Sequence, residues 1–140
     1  PAYPIDIGGE LRGQGSWTIG LENPRGGAPL KRISLNNFSV ATSGDYRAFF
    51  MQDHKRYSHL IDPATAKPIA HALAQVSVLA PSAMEADALA TALMVLGSER
   101  GLALAERNAI TAFFVVREGQ GFVTTSTKAF DELFGAGVEQ

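Results

Sequence analysis

The sequence predicts an α+β fold: a largely antiparallel sheet with two or three helices. Three observations carry the prediction. Short runs that alternate apolar and polar residues fill the first third and stop at Gly, Pro and Asn clusters. A run rich in β-branched residues follows at 75–80. Helix signals come only after Pro81, in the second half. Strands that precede helices, instead of alternating with them, place the helices on one face of an antiparallel sheet.

In chain order, Tyr3–Ile7 alternates and stops at Gly8-Gly9. Gly13-Gln14-Gly15-Ser16 reads as a tight connection to a second strand, Trp17–Glu22, which ends at the turn cluster Asn23-Pro24-Arg25-Gly26-Gly27. Leu30–Leu35 and Phe38–Thr42 read as two short strands around Asn36-Asn37. Asp45–Gln52 and Arg56–Ile61 form a hairpin across the polar Asp53-His54-Lys55, because aromatic and β-branched residues favour a pleated, half-buried surface. Asp62–Pro68 is a loop, and Gln75–Ala80 a strand.

Ser82 then caps the clearest helix, Ala83–Leu96, with Glu85 three residues on to complete a capping box. Gly97 terminates it. Ser98 caps a second helix, Glu99–Asn108. Ile110–Arg117 is a strand, Glu118–Gly121 its hairpin turn and Phe122–Thr125 the return. Ser126 or Thr127 caps a short final helix through Phe134, and Gly135–Gln140 is a frayed tail.

Composition narrows the function. A chain of 140 residues, 46% hydrophobic, fits one domain with its own core. The absence of cysteine excludes disulfide scaffolds, thiolate zinc sites, iron–sulfur clusters and a cysteine nucleophile. Twelve Lys+Arg against 14 Asp+Glu leave no cationic excess to hold a phosphate backbone, so no nucleic-acid partner is expected. No apolar run reaches the roughly 20 residues that cross a bilayer. Pro1-Ala2-Tyr3-Pro4 is not a secretory signal, and the chain starts without Met, so a processed or truncated product is expected.

Asp87 and Thr91 are the sharpest chemical feature. Four residues apart, they share one face of the first helix among Ala, Leu, Val and Met. Both carry hard oxygens of the kind magnesium takes, though two oxygens do not fill an octahedral shell. The plain alternative places Asp87 on a solvated helix face. His59 ends a strand before Asp62-Pro63, where an imidazole can meet a phosphate or carbonyl; a strand-end contact, with Asp62 opening an Asx turn, explains the same residues. Ser43-Gly44 lets backbone and hydroxyl approach a ligand, or simply turns the chain. Ser43 lacks the pattern of a nucleophile elbow. His54 and His71 stand in polar contexts and receive no role.

Taken together and in order, Ile5-Asp6-Ile7-Gly8-Gly9-Glu10, Ala41-Thr42-Ser43-Gly44-Asp45-Tyr46, His59-Leu60-Ile61-Asp62-Pro63 and Ala86–Leu93 resemble the C-terminal half of the ApbE family, the bacterial FAD:protein FMN transferases. That resemblance implies FAD as substrate, Mg2+ as cofactor, and transfer of FMN to a Thr or Ser hydroxyl of a target protein, such as a subunit of an electron-transfer complex. It implies Asp87 and Thr91 as metal ligands. His59 is implied as a catalytic residue against the FAD, with Ile61, Asp62 and Ser43 as further FAD-binding positions. It also implies an absent N-terminal half that carries a glycine-rich motif, much of the FAD pocket and another metal ligand. A homodimer, or association with that half across an exposed apolar patch, follows. The implied compartment is the bacterial periplasm, free or at the inner membrane. Two alternatives stand beside transfer: FAD hydrolysis to FMN and AMP, and a non-catalytic flavin- or partner-binding domain. At the position before Thr91, where some members have aspartate, this chain has Ala90.

Overall fold

The computed structural model describes residues 3–7, 9–45 and 49–136. Its centre is β10 (Leu73–Ala80), all eight residues of which are buried. Antiparallel partners flank it: β5 (Ser39–Gly44) on one edge and β11 (Thr111–Glu118) on the other. Outward lie β12 (Gly121–Ser126) beyond β11, and β2 (Glu10–Gln14) and β1 (Tyr3–Ile7) beyond β5. The six-stranded order is β1-β2-β5-β10-β11-β12.

Strand parity builds one core on each face of this sheet. Ala41 of β5, Val76 and Val78 of β10 and Phe114 of β11 meet Ala86, Ala90, Leu93 and Met94 of α1 (Ala83–Arg107). The alternate residues Val40, Leu79, Phe113 and Val115 face the other way. They are covered by the hairpin β3 (Ser16–Leu21) and β4 (Lys31–Asn36), and by Phe130 of α2 (Lys128–Phe134).

Both helix caps lie where the sequence places them. The Ser82 hydroxyl accepts from the Glu85 N–H at 3.2 Å. The Thr127 hydroxyl accepts from the Phe130 N–H at 3.3 Å and donates to the Ile110 carbonyl at 2.7 Å. Gly97 ends the first helical run as expected: at φ 83° and ψ 176° it is non-helical, and a second run follows it to Arg107, so α1 is two helices joined at a kink. By length and composition alone α1 could cross a membrane. Its kink, and the face it buries on β5 and β10, make it instead the core helix of this fold.

Several strand boundaries differ from expectation. β2, at 10–14, was not anticipated; its residues gain their partners only from β1 and β5, far along the chain or across a turn. The tight connection narrows to Gly15, at φ 86°. β6 (Phe49–Gln52) and β7 (Lys55–Ser58) form the anticipated hairpin on a two-residue turn, Asp53-His54, both with positive φ. Residues 46–48 of that expected strand, and residues 137–140 of the expected tail, lie outside the described residues. After Ser58 the chain bends, because the Ser58 hydroxyl accepts from the Leu60 N–H at 3.1 Å. The expected loop at 62–68 contains a two-residue ladder between β8 (Ile61–Asp62) and β9 (Lys67–Pro68). The Asx turn is present: the Asp62 carboxylate accepts from the Ala64 N–H at 2.9 Å.

Candidate active site

The C-terminal half of β5 and the first turns of α1 bring two of the sequence-selected residues together. Ser43 lies on the same face of β5 as Ala41, toward the helix, and sits opposite Val76 of the buried β10. Its hydroxyl oxygen is 3.3 Å from that of Thr91. Thr42 points to the opposite face, where its hydroxyl meets Ser77 at 2.8 Å. Thr91 is thus half-buried against the sheet, while Asp87, one turn earlier and about 6 Å back along the axis, is exposed. No ion pair engages the Asp87 carboxylate among the described residues. Burial therefore imposes no cost on it, and it is available to a cation.

The Asp87 carboxylate and the Thr91 hydroxyl, both hard oxygens, fit magnesium chemically. Among the described residues no group of three or more His, Asp or Glu forms a ready-made metal cage. Further ligands would come from phosphate oxygens, water or protein beyond these residues.

His59, Ile61 and Asp62 lie on the segment that passes beneath α1. Leu60 packs into the α1-side core and so pins that segment. His59 and Ile61 are exposed, and Asp62 is half-buried. Asp62 lines a cavity of about 560 Å3 with His71, Val95, Leu96 and Arg100. It is therefore placed about one helical turn beyond Thr91 along α1, not beside Asp87. Ser43 and Thr91 form one cluster, and the His59–Asp62 segment a neighbouring one.

Sequence reasoning missed a second set of groups. Asp45, two residues after Ser43, receives a two-pronged bond from Arg117 at 2.8 and 2.5 Å, while Arg56 donates to its carbonyl. These groups and Lys55, Lys67 and His71 line another cavity of about 560 Å3 where β5 and β11 end and β10 begins. His71 stands between the two cavities. Its Nδ1 accepts from the Leu73 N–H at 3.3 Å, and its Nε2 is buried with no hydrogen-bond partner among the described residues. Its ring fills the space that a side chain at Gly97 would need. Asp45 and Arg117 are 72 residues apart, and no spacing rule links them.

Thr91 and the exposed Asp87 carboxylate on the core helix, with Ser43 on the adjacent strand, place hard-oxygen groups on neighbouring elements of this mixed fold. The comparisons name the family. The model of the ApbE family matches residues 1–114, and this chain belongs to that family. It is 44% identical over 140 residues to the FAD:protein FMN transferase of Haemophilus influenzae, covering 94% of this chain and 40% of that protein. The Vibrio cholerae FAD:protein FMN transferase is 43% identical over 136 residues, 91% of this chain and 41% of its own length. Among solved structures, the apo form of Pseudomonas stutzeri flavinyl transferase ApbE superposes with a TM-score of 0.86 at 58% identity, over 98% of this chain and 45% of that one. The Vibrio cholerae flavin transferase ApbE superposes with a TM-score of 0.81 at 40% identity, over 94% and 44%. The chain thus spans well under half the length of these relatives.

Proposed function

We propose that this chain is the C-terminal part of a magnesium-dependent FAD:protein FMN transferase. The observation that carries the reading is the Asp87–Thr91–Ser43 oxygen cluster, in a chain whose relatives bear that name. In the reaction, a Thr or Ser hydroxyl of the acceptor protein attacks the FMN-side phosphorus of FAD. The new P–O bond forms as the pyrophosphate P–O bond breaks, AMP departs, and the hydroxyl proton passes to a base. Asp87 and Thr91 would hold the cation, which supplies charge neutralisation at the phosphates. Ser43 lies against this pair. His59 and the Ile61–Asp62 segment flank the helix on the side where the flavin nucleotide would lie. Leu60 anchors that segment, so it meets its ligand as a rigid wall. FAD and a protein acceptor, such as a subunit of an electron-transfer complex, are the partners under this reading. The periplasm, free or at the inner membrane, is the proposed compartment.

The complete protein provides the test. Asp87→Ala should abolish magnesium-dependent FMN transfer to an acceptor while leaving stability within about 0.5 kcal/mol of the parent, as expected for an exposed side chain. Unchanged transfer would sink the metal assignment. Release of free FMN and AMP, with no flavin on the acceptor, would favour hydrolysis with water as the nucleophile.

A further inference from the structure

We infer that Ser43 is a positioning residue: it sets the side-chain rotamer of Thr91 and thereby the direction in which the Thr91 hydroxyl faces a hard cation. The inference rests on the metal reading of Asp87 and Thr91 given above.

A threonine inside a helix divides between two χ1 rotamers, because its hydroxyl can bond back to the carbonyl three or four residues earlier. For Thr91 those carbonyls belong to Ala88 and Asp87. Here the hydroxyl instead meets Ser43, 48 residues away in sequence, at 3.3 Å. The strand holds Ser43 firmly. Ser43 is paired to Val76 of a strand that is buried along its whole length, and the neighbouring pairs Thr42–Ser77 and Gly44–Gln75 fix the register. Parity excludes Thr42 from the task, since its hydroxyl is committed to Ser77 on the other face.

The hydrogen-bond inventory gives this contact a consequence. A hydroxyl has one proton and two lone pairs. If Thr91 donates its proton to Ser43, both of its lone pairs stay free for a cation. If it bonded back to its own helix, the oxygen would turn along α1 and away from Ser43. Groups that orient a metal ligand in this way contribute about 10- to 100-fold to metal affinity.

The test begins with the chain as it stands, without metal. Three-bond couplings from the Thr91 methyl carbon to the backbone nitrogen and carbonyl report its χ1. The parent should show one rotamer, Ser43→Ala a mixture, and Ser43→Thr, which restores the hydroxyl, a single rotamer again. Titration of the complete protein with Mg2+ in the presence of FAD should then show affinity weakened about 10-fold or more in Ser43→Ala and recovered in Ser43→Thr. A general loss of packing would not be rescued in this selective way. A single Thr91 rotamer in Ser43→Ala, or unchanged Mg2+ affinity in that variant while Asp87→Ala loses it, overturns this inference alone. A complete parent protein that takes up no Mg2+ with FAD present, or an Asp87→Ala variant of it that binds the ion as the parent does, overturns the metal reading and this inference with it.

Discussion

β10 and β6 are both apolar strands, yet their fates are opposite. β10 reads LAQVSVLA and hides all eight residues, including Gln75 and Ser77. β6 reads FFMQ, is richer in large apolar groups, and exposes every one: Phe49 47%, Phe50 46% and Met51 59%. The difference lies in what surrounds each strand. β10 has a strand on both edges and a packed layer on both faces, so a polar side chain there can turn only to internal partners; the Gln75 amide N–H donates to the Glu22 carbonyl at 3.2 Å, while its Oε1 has no hydrogen-bond partner among the described residues. Among the described residues β6 pairs with β7 alone, and a two-stranded ribbon buries little. What order the ribbon has comes from cross-strand pairs. Phe50 stacks on Tyr57 with ring centres 5.3 Å apart, and the Arg56 guanidinium lies 4.1 Å over Phe49. Hydrophobicity decides which residues would gain from burial; topology decides which of them obtain it.

That contrast predicts a graded series. The largest effect belongs to the layer under β10 and α1. Phe114→Ala removes a fully buried ring between β10 and Gly101 of α1 and should cost about 3–5 kcal/mol in urea unfolding. A loss below about 1 kcal/mol would mean that the central layer repacks as freely as the ribbon. Gly97→Ala comes next. The backbone there is at φ 83°, and an added Cβ would stand 3.0 Å from the His71 ring. Thermal unfolding should report about 1–3 kcal/mol of destabilisation; no change would show that α1 can run straight and that the kink is not enforced. The smallest effect is expected on the ribbon. Phe50→Ala should forfeit about 0.5–1 kcal/mol of stacking. It should lower hydrogen-exchange protection of β6 and β7 amides while the global unfolding midpoint stays near the parent's. A global loss comparable to that of Phe114→Ala would refute the contrast.

The exposed apolar groups also bear on the expectation of an uncovered patch. Among the described residues they are scattered over several elements: Tyr3 and Ile5 on β1, Phe38 before β5, the ribbon, Ile61, Met84 on α1 at 82%, Val123 on β12 and Leu133 on α2. The relatives are more than twice this chain's length, so a large part of each of them has no counterpart here.

Much of the fold was legible because its signals are short-range. Ser82 and Thr127 cap helices through bonds that span three residues. Asp53-His54 turns a hairpin and Asp62 opens its Asx turn within the same few positions. Alternation revealed β3 and β4 correctly, and their burial follows it residue by residue. β2 escaped notice because Gly13 and Gly15 mark a turn by composition. Yet Gly13 is buried where Trp17 closes over it, a packing reason for glycine within a strand. Gly97 was read as a helix end because glycine at positive φ commonly ends helices. It ends the first helical run here too; what the sequence did not show is that the His71 ring fills the space beside it and that a second run follows directly after the kink.

From its own residues, then, the chain determined its class of fold, both helix caps and the shared face of Asp87 and Thr91, since each depends on neighbours within about one helical turn or one strand pleat. Only the tertiary structure decided that Ser43 meets Thr91 across 48 residues and that Arg117 grips Asp45 across 72. It also decided that β10 is buried while β6 is not. Those outcomes depend on strand register and on which layers close over which faces, and a one-residue slip in register would turn Ser43 away from the helix and bring Thr42 in its place.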